Sequence, residues 1–438
     1  MLVACGRFRR AVRDRLGSAG AIWALEMRPR SLWRDRDFTI LLSGQVVSFV
    51  GDSAQGLAMP LLVLALTGSV TDAGVMLALQ TASYLVFGLV AGALADRWNR
   101  KVTMIWCEVG RLVLAASVPV ALWIGQLTFA QLCVVAVLSG MLSTLFEVSN
   151  TSALPTIVGP ERLSAALAYS QSATSTVRIA GASIAGALYS LGRAVPFLVN
   201  AISYALSAAS LLLMRADFQQ QRTDTKPPLI GEIRTGLRWI ARHRVIRFLT
   251  VVTALDNVRY GAGYLLIILL AERVGASPVH IGLIFSGAGI GAVLGSIVSS
   301  RVTDRFPVGR IAIVMLWVEA AMFPFYALAP NALLLGVIAA LESLVAPIYV
   351  VAMTSYRLAI TPDELRGRTT STVQTLVTGA LSIGSLLGSA LIGWIGAAGA
   401  TYFFGGWLVV LAIATTANRS VRRADVSVRA EEAAPKLS

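Results

Sequence analysis

Apolar runs of about twenty residues recur along the whole chain, separated by short polar breaks. A helix needs about 20 such residues to cross the hydrocarbon of a bilayer. The runs predict twelve membrane-spanning helices, at 38–66, 72–95, 102–124, 128–150, 164–191, 194–214, 245–271, 278–300, 310–329, 332–358, 369–396 and 399–418. Several are long enough to tilt or to project past the bilayer. They lack the strict alternation of a membrane-barrel strand. The polar breaks divide the chain into a basic tail (1–37), a six-helix half (38–214), a loop (215–244), a second six-helix half (245–418) and a C-terminal tail (419–438).

Inside the loop the pattern changes. RADFQQQRTDTKPP is polar with two prolines and reads as flexible. LIGEIRTGLRWIARHRVIR repeats Ile230, Ile233, Leu237 and Ile240 at helical spacing, with Arg234, Arg238 and Arg242 on the other face. This predicts an amphipathic helix on the inner membrane surface, held by anionic lipid. GRFRRAVRDRLG in the first tail is amphipathic as well.

Charge sharpens the picture. Only 14% of residues are charged, against about 25% in a soluble domain. The net charge of +14 would suit nucleic acid as a partner, but the bases sit in the breaks between spans rather than along one stripe, which argues against it. With both termini inside, 32 of the 37 Lys and Arg lie on the inner side and only Arg193 and Arg273 on the outer. That bias predicts a multi-pass protein of a bacterial-type inner (plasma) membrane with both ends cytoplasmic. Cys5, Cys107 and Cys133 are scattered, so no disulfide framework, metal site or cofactor is expected. LVAC at 2–5 mimics a lipoprotein cleavage box but lacks the charged and apolar regions before it. No phosphate-binding GxxxxGK[ST] is present, so transport powered by the chain's own ATP hydrolysis is not expected.

The chain repeats itself. Asp52 matches Asp256; Asp96 in ADRWNRK matches Asp304 in TDRFPVGR; Glu108 in IWCEVG matches Glu319 in LWVEAA. PTIVGPERLSAAL at 155–167 matches RLAITPDELRGRT at 357–369, and STV recurs at 175–177 and 371–373 ahead of GASIAGAL and GALSIGSLLGSAL. These matches come in order, at offsets of 196–211 residues, and make two six-helix halves in parallel.

The whole chain resembles the major facilitator superfamily, and GALADRWNRK at 92–101 looks like its signature between helices two and three. Within it, SGQVVSFVGDSAQGLAMPLLVLALTGS at 43–69 and GLRWIARHRVIR at 236–247 are similar to the drug-efflux branch that includes macrolide exporters and a siderophore exporter. The resemblance implies an all-α membrane protein whose halves are related by an axis along the membrane normal. It also implies that Gly92, Asp96, Arg97, Arg100, Lys101, Asp304 and Arg305 form a cytosolic latch. Asp96 would cap helix eleven near Thr369 and Thr370 when the cytosolic side is closed, and Gly92 would let helices two and eleven approach. Each such interaction is worth about 0.3–2 kcal/mol depending on burial. Glu147 and Asn150 end helix four within reach of Arg97 or Arg100. The second copy is degraded, because Pro307 interrupts it and the third base moves to Arg310.

Charged residues within spans are costly and therefore functional candidates. At 1.5 Å per residue, Asp52 lies about 21 Å from the inner end of its helix, Asp256 about 16 Å and Glu319 about 13 Å. By resemblance helices one, four, seven and ten line the cavity. That makes Asp52, Asp256 and Glu342 cavity candidates and leaves Glu108 and Glu319 as structural. Arg111 follows Glu108, and Arg259 follows Asp256, one turn on along the same face. Asp52 has no partner in its own helix; Arg178, at similar depth on helix five, is the expected one, and their contact would break on protonation. Helix four lacks the mid-helix Arg of many proton-driven relatives, and helix five lacks the proline of the superfamily's antiporter signature.

These features predict a secondary active, proton-coupled exporter of hydrophobic or amphipathic small molecules, monomeric and not an enzyme. Met59, Tyr84, Phe87, Phe146, Tyr264 and Tyr349 are candidates for its adaptable pocket. A dedicated metabolite or siderophore exporter, or a nutrient importer, on the same fold is the alternative. His243 and His280 are the only histidines and neither lies deep in a span, which leaves little for an enzymatic reading.

Overall fold

A computed structural model describes Leu32, 35–215, Phe218 and 229–424, and the side chains of Tyr84, Asp96 and Arg178 lie outside the described residues. Residues 1–31, 33–34 and 425–438, with the GRFRRAVRDRLG stretch, and loop residues 216 to 228 other than Phe218 also lie outside them.

Among the described residues, ten helical segments are long and apolar enough to cross a membrane. The difference from twelve has two local causes. The last segment is part of one 55-residue helix, Asp363–Ala417, bent into two legs at Gly396, whose φ of 74° only glycine adopts freely. The helix Leu163–Leu191, rich in Ser, Ala and Gly, is the other. Counting these, the spans are α1 (Arg36–Thr67), α2 (Val70–Arg97), α3 (Arg100–Trp123), α4 (Phe129–Val158), α5 (Leu163–Leu191) and α6 (Val195–Leu213). The second half holds α7 (Arg244–Arg273), α8 (Pro278–Arg305), α9 (Val308–Met322), α10 (Ala332–Ile360) and the two legs, α11 (363–395) and α12 (397–417).

Side chains at the breaks set the helix starts. Asp35, Ser69, Asn99, Thr128 and Asn331 each accept a backbone N–H two or three residues into the helix they cap. Each cap is worth about 1 kcal/mol. Pro324 ends α9, and a short helix, Phe325–Leu328, resumes beyond it.

The sequence repeat is also a packing repeat. α2 lies against α4 as α8 lies against α10, and α1 against α5 as α7 against α11. Small residues permit the closest of these approaches. A Cβ added at Gly291 would stand 1.9 Å from the Ala340 carbonyl oxygen, and one at Gly295 would stand 2.0 Å from that of Leu344. Dispersion between closely packed backbones holds such helices together where lipid removes the hydrophobic drive.

The halves meet along α5–α8 and α2–α11, at the ends of these helices remote from the Arg- and Lys-rich face. Ser183 and Ser286 share a 2.7 Å hydrogen bond. A Cβ at Gly186 would lie 2.2 Å from Pro278 O, and one at Gly74 would strike Ser389. Near the basic face the helices part: a Cβ at Gly92 meets nothing within 4 Å. The bundle is closed at the far face and open toward the basic one.

The helix Leu229–Arg242 crosses α11 at Gly236, where a Cβ would lie 2.3 Å from Thr372 Oγ1. Ile240 is buried against the protein and Leu237 is exposed. Ile240, part of the apolar stripe expected to face lipid, therefore packs against the second half instead.

Candidate functional site

Two buried ion clusters lie at mid-depth, one per half. In the first, α3 carries Glu108 and Arg111 one turn apart. Arg111 Nη2 donates to both oxygens of Asp52 on α1, at 2.9 and 3.1 Å. Its Nη1 stands 4.0 Å from Glu108, which instead accepts a 2.9 Å bond from Ser207 on α6. Tyr204 of α6 donates its hydroxyl to Asp52, and its ring lies 4.1 Å under the guanidinium. Asn200 donates to Gln55 at 2.8 Å and to Tyr204 at 3.1 Å.

The cation of Asp52 thus comes from α3. Arg178, the expected partner, has its side chain outside the described residues, and Arg111 stands nearer to Asp52 than to Glu108. Helical spacing made Glu108–Arg111 visible, but the partner 59 residues away wins on distance.

In the second cluster, Arg259 of α7 faces three carboxylates. Nε donates to Asp256 at 2.8 Å and Nη1 to Glu342 of α10 at 2.7 Å, while Nη2 reaches Glu319 of α9 at 3.5 Å. The break at Pro324 turns Tyr326 so that its hydroxyl donates to the other Glu342 oxygen at 2.6 Å. Phe323 places its ring 5.0 Å from the guanidinium. On the other side, Trp407 of α12 pins α7 by donating to Leu255 O at 3.1 Å. Expected to be structural, Glu319 belongs to the same cluster as the cavity acids and, although only 3% exposed, borders the same cavity.

The clusters border a cavity between the halves that has three adjoining lobes. One, about 440 Å³, is walled by Tyr260, Tyr264, Phe285 and Phe323 together with Asp256, Arg259 and Glu342. A second, about 640 Å³, has a polar lining that includes Asp52, Arg111, Gln80, Thr81 and Gln374. The third, about 580 Å³, shares Asp52 and Arg111 and extends past Glu147 and Asn150 toward the basic face. Tyr264 and Phe146 do line lobes. Met59 is core, Phe87 packs against core, and Tyr349 is tied to Thr253 at 2.6 Å.

The signature bases do not bridge the halves here. Arg100 donates to Ser152 O at 2.9 Å and Phe218 O at 3.3 Å, and Lys101 donates to Met214 O at 2.6 Å just past the end of α6. These bonds tie the start of α3 to α4 and to the chain just past α6. Arg97, Asp304 and Arg305 are exposed. Gly92, expected to admit α11 closely, stands open. Tyr204, Tyr326, Ser207 and Phe323 escaped sequence reasoning, because a tyrosine or serine in a span carries no charge signal.

Residues 29–436 match the transmembrane secretion effector family. An uncharacterized MFS-type transporter of Bacillus subtilis, YfiS, is 25% identical over 87% of this chain and 93% of its own length. The multidrug efflux pump Tap of Mycolicibacterium fortuitum is 26% identical over 80% of this chain and 88% of its own. Among solved structures, a bacterial homologue of the human lysosomal transporter Spinster, inward-facing and unoccupied, superposes with a TM-score of 0.67 at 17% identity, covering 84% of this chain and 83% of that one.

Proposed function

The chain belongs to the transmembrane secretion effector family, and from that premise we propose that it is a proton-coupled exporter of hydrophobic or amphipathic small molecules. The observation that carries this reading is the cavity: it lies between the halves, closes at one face, opens at the other, and touches a carboxylate–guanidinium cluster in each half. A carboxylate that exchanges a proton changes the charge facing a cavity, and so biases which face opens. The basic loops support an orientation with both ends cytoplasmic in a bacterial inner membrane. In that orientation the cavity opens to the cytoplasm, and cargo enters from inside the cell. The name of Tap supports export of hydrophobic cargo, and the aromatic lobe suits such cargo.

The test uses inside-out vesicles with an acidified lumen. Macrolides, lipophilic cations and siderophores are added in turn while lumenal pH is followed. Proton release on adding a compound, abolished by Asp256→Asn, is the expected result. Accumulation without proton movement would rule out proton coupling. No movement of any compound would turn the reading toward uptake.

The latch supplies a second prediction. A bulky residue at Gly92 fits the open space of this state but obstructs the approach of α2 to α11 that closure of the basic face requires. Gly92→Leu should keep the melting temperature of the parent within about 2 °C, since surface changes fall within about 0.5 kcal/mol. Transport should fall at least about tenfold, the effect of a bias of about 1.4 kcal/mol against the closed state. Unchanged transport would remove Gly92 from the latch.

A further inference from the structure

The third base of the second signature copy, Arg310, stands two positions past the counterpart of Arg100. Arg100 is spent on carbonyls of its own half. Arg310 is exposed, and none of the ion pairs among the described residues includes it. It stands at the basic end of a groove of about 320 Å³ between α8, α9 and α10. Val302 near the end of α8, Phe306 just past it and Val314 of α9 form its sides, and Arg310 holds its guanidinium 5.5 Å from the Phe306 ring centroid. No residue of the first half lines this groove, so it faces outward to lipid and not to the central cavity. The first half carries the counterpart, a groove of about 420 Å³. Trp98, Thr103, Trp106 and Cys107 line it, each 208 residues ahead of Phe306, Ile311, Val314 and Met315 in the other. Leu142 and Leu145 likewise stand 203 ahead of Val345 and Ile348. The place of Arg310 is taken by Val102. The chain builds one outward groove twice and puts a cation in the lining of only one.

We propose that the Arg310 groove seats one acyl chain of an anionic phospholipid, with the lipid phosphate on the Arg310 guanidinium. Inside a bilayer an apolar groove selects nothing by itself, because lipid tails are as apolar as its walls. Selection rests with the headgroup, and Arg310 is the charge in the lining. α9 begins at Val308, so the positive end of its dipole lies beside that guanidinium. Its N-cap, Pro307, offers no side-chain acceptor, whereas Asn99 caps α3 in the first half with its own oxygen. Arg301 and Arg305 are exposed on the last turns of α8, against one exposed acid, Asp304. A zwitterionic lipid carries a phosphate too, but brings a cation to the same bases and gains less. A second copy of this chain is the poorer occupant, because it would press one basic face against another.

The experiment is native mass spectrometry of the full purified chain, released from micelles doped with phosphatidylglycerol or with phosphatidylcholine, which resolves each bound lipid. The first phosphatidylglycerol is expected to bind at least about fivefold more tightly than the first phosphatidylcholine, the effect of one Arg beside an anionic headgroup. Arg310→Val, which installs the residue of the first half, should erase that preference, and Arg310→Lys should keep most of it. Val345→Trp leaves the charge in place but fills the groove, and should weaken the first phosphatidylglycerol by a similar factor. Val102→Arg should add a second tightly held phosphatidylglycerol in the first half. Equal affinities of the two lipids for the parent chain would overturn the proposal. So would a preference untouched by Arg310→Val, or a dimer whose formation releases the lipid. Should Arg310→Val fail to fold, the parent comparison and Val102→Arg decide. Binding is read without cargo, so failure of the export reading in the vesicle assay leaves this site standing, and failure here leaves that reading intact.

Discussion

Arg259→Gln is expected to lower the melting temperature more than any other single substitution at the ion clusters, and to abolish transport. Removing one partner of a buried ion pair costs about 3–5 kcal/mol, because the charge left behind is uncompensated. Here the loss leaves three carboxylates, Asp256, Glu319 and Glu342, around an empty centre. Against a total stability of about 5–15 kcal/mol, most of the variant should fail to reach the folded pool. Arg111→Gln is the comparison. Asp52 keeps the hydroxyl of Tyr204 and Glu108 keeps that of Ser207, so the damage should be smaller. Adding Glu319→Gln and Glu342→Gln to Arg259→Gln should return most of the stability and none of the transport. Thermal melting in detergent, with yield after size exclusion, reads both. An Arg259→Gln chain that melts within about 2 °C of the parent would show that this guanidinium does not hold the second half together.

The pattern of what could be read from the sequence has a physical explanation. Spans, halves and the order of the elements follow from hydropathy and repetition, which are one-dimensional. Asp256–Arg259 was legible too, because three residues make one turn. Asp52–Arg111 was not: it joins α1 to α3 across 59 residues, and only the packing of helices decides which face of α3 meets α1. The same limit misplaced Glu319. Its helix is an outer one by family resemblance, but one long side chain carries the carboxylate back to Arg259. The exchange of roles between halves hid the symmetry of the site. Where Arg111 follows Glu108 in α3, Met322 follows Glu319 in α9, and where Arg259 follows Asp256 in α7, Gln55 follows Asp52 in α1. The charges therefore do not repeat position by position, although each half has one arginine beside its repeated aspartate.

Closure at the far face carries the last prediction. Ser183 on α5 and Ser286 on α8 face each other across the halves at 2.7 Å, and Ser286 also donates to Ile179 O. With Cys5, Cys107 and Cys133 replaced by Ser, Ser183→Cys together with Ser286→Cys places two thiols where a disulfide can form between the halves. Alternating access requires this seam to part once per cycle. A covalent bond across it holds the cavity in the state open to the basic face. Oxidation is therefore expected to reduce cargo transport to the level of vesicles without the protein, and reduction to restore it. Cargo binding measured from the basic face should persist throughout, because the lobes around Asp52 and Arg259 are already formed in this state. The single Cys variants control for loss of the serine hydrogen bonds, which contribute only about 1 kcal/mol each. Transport that survives quantitative cross-linking would mean that cargo passes without separation of α5 from α8. The halves would then move about some other seam, with α2–α11 the remaining candidate at the same face.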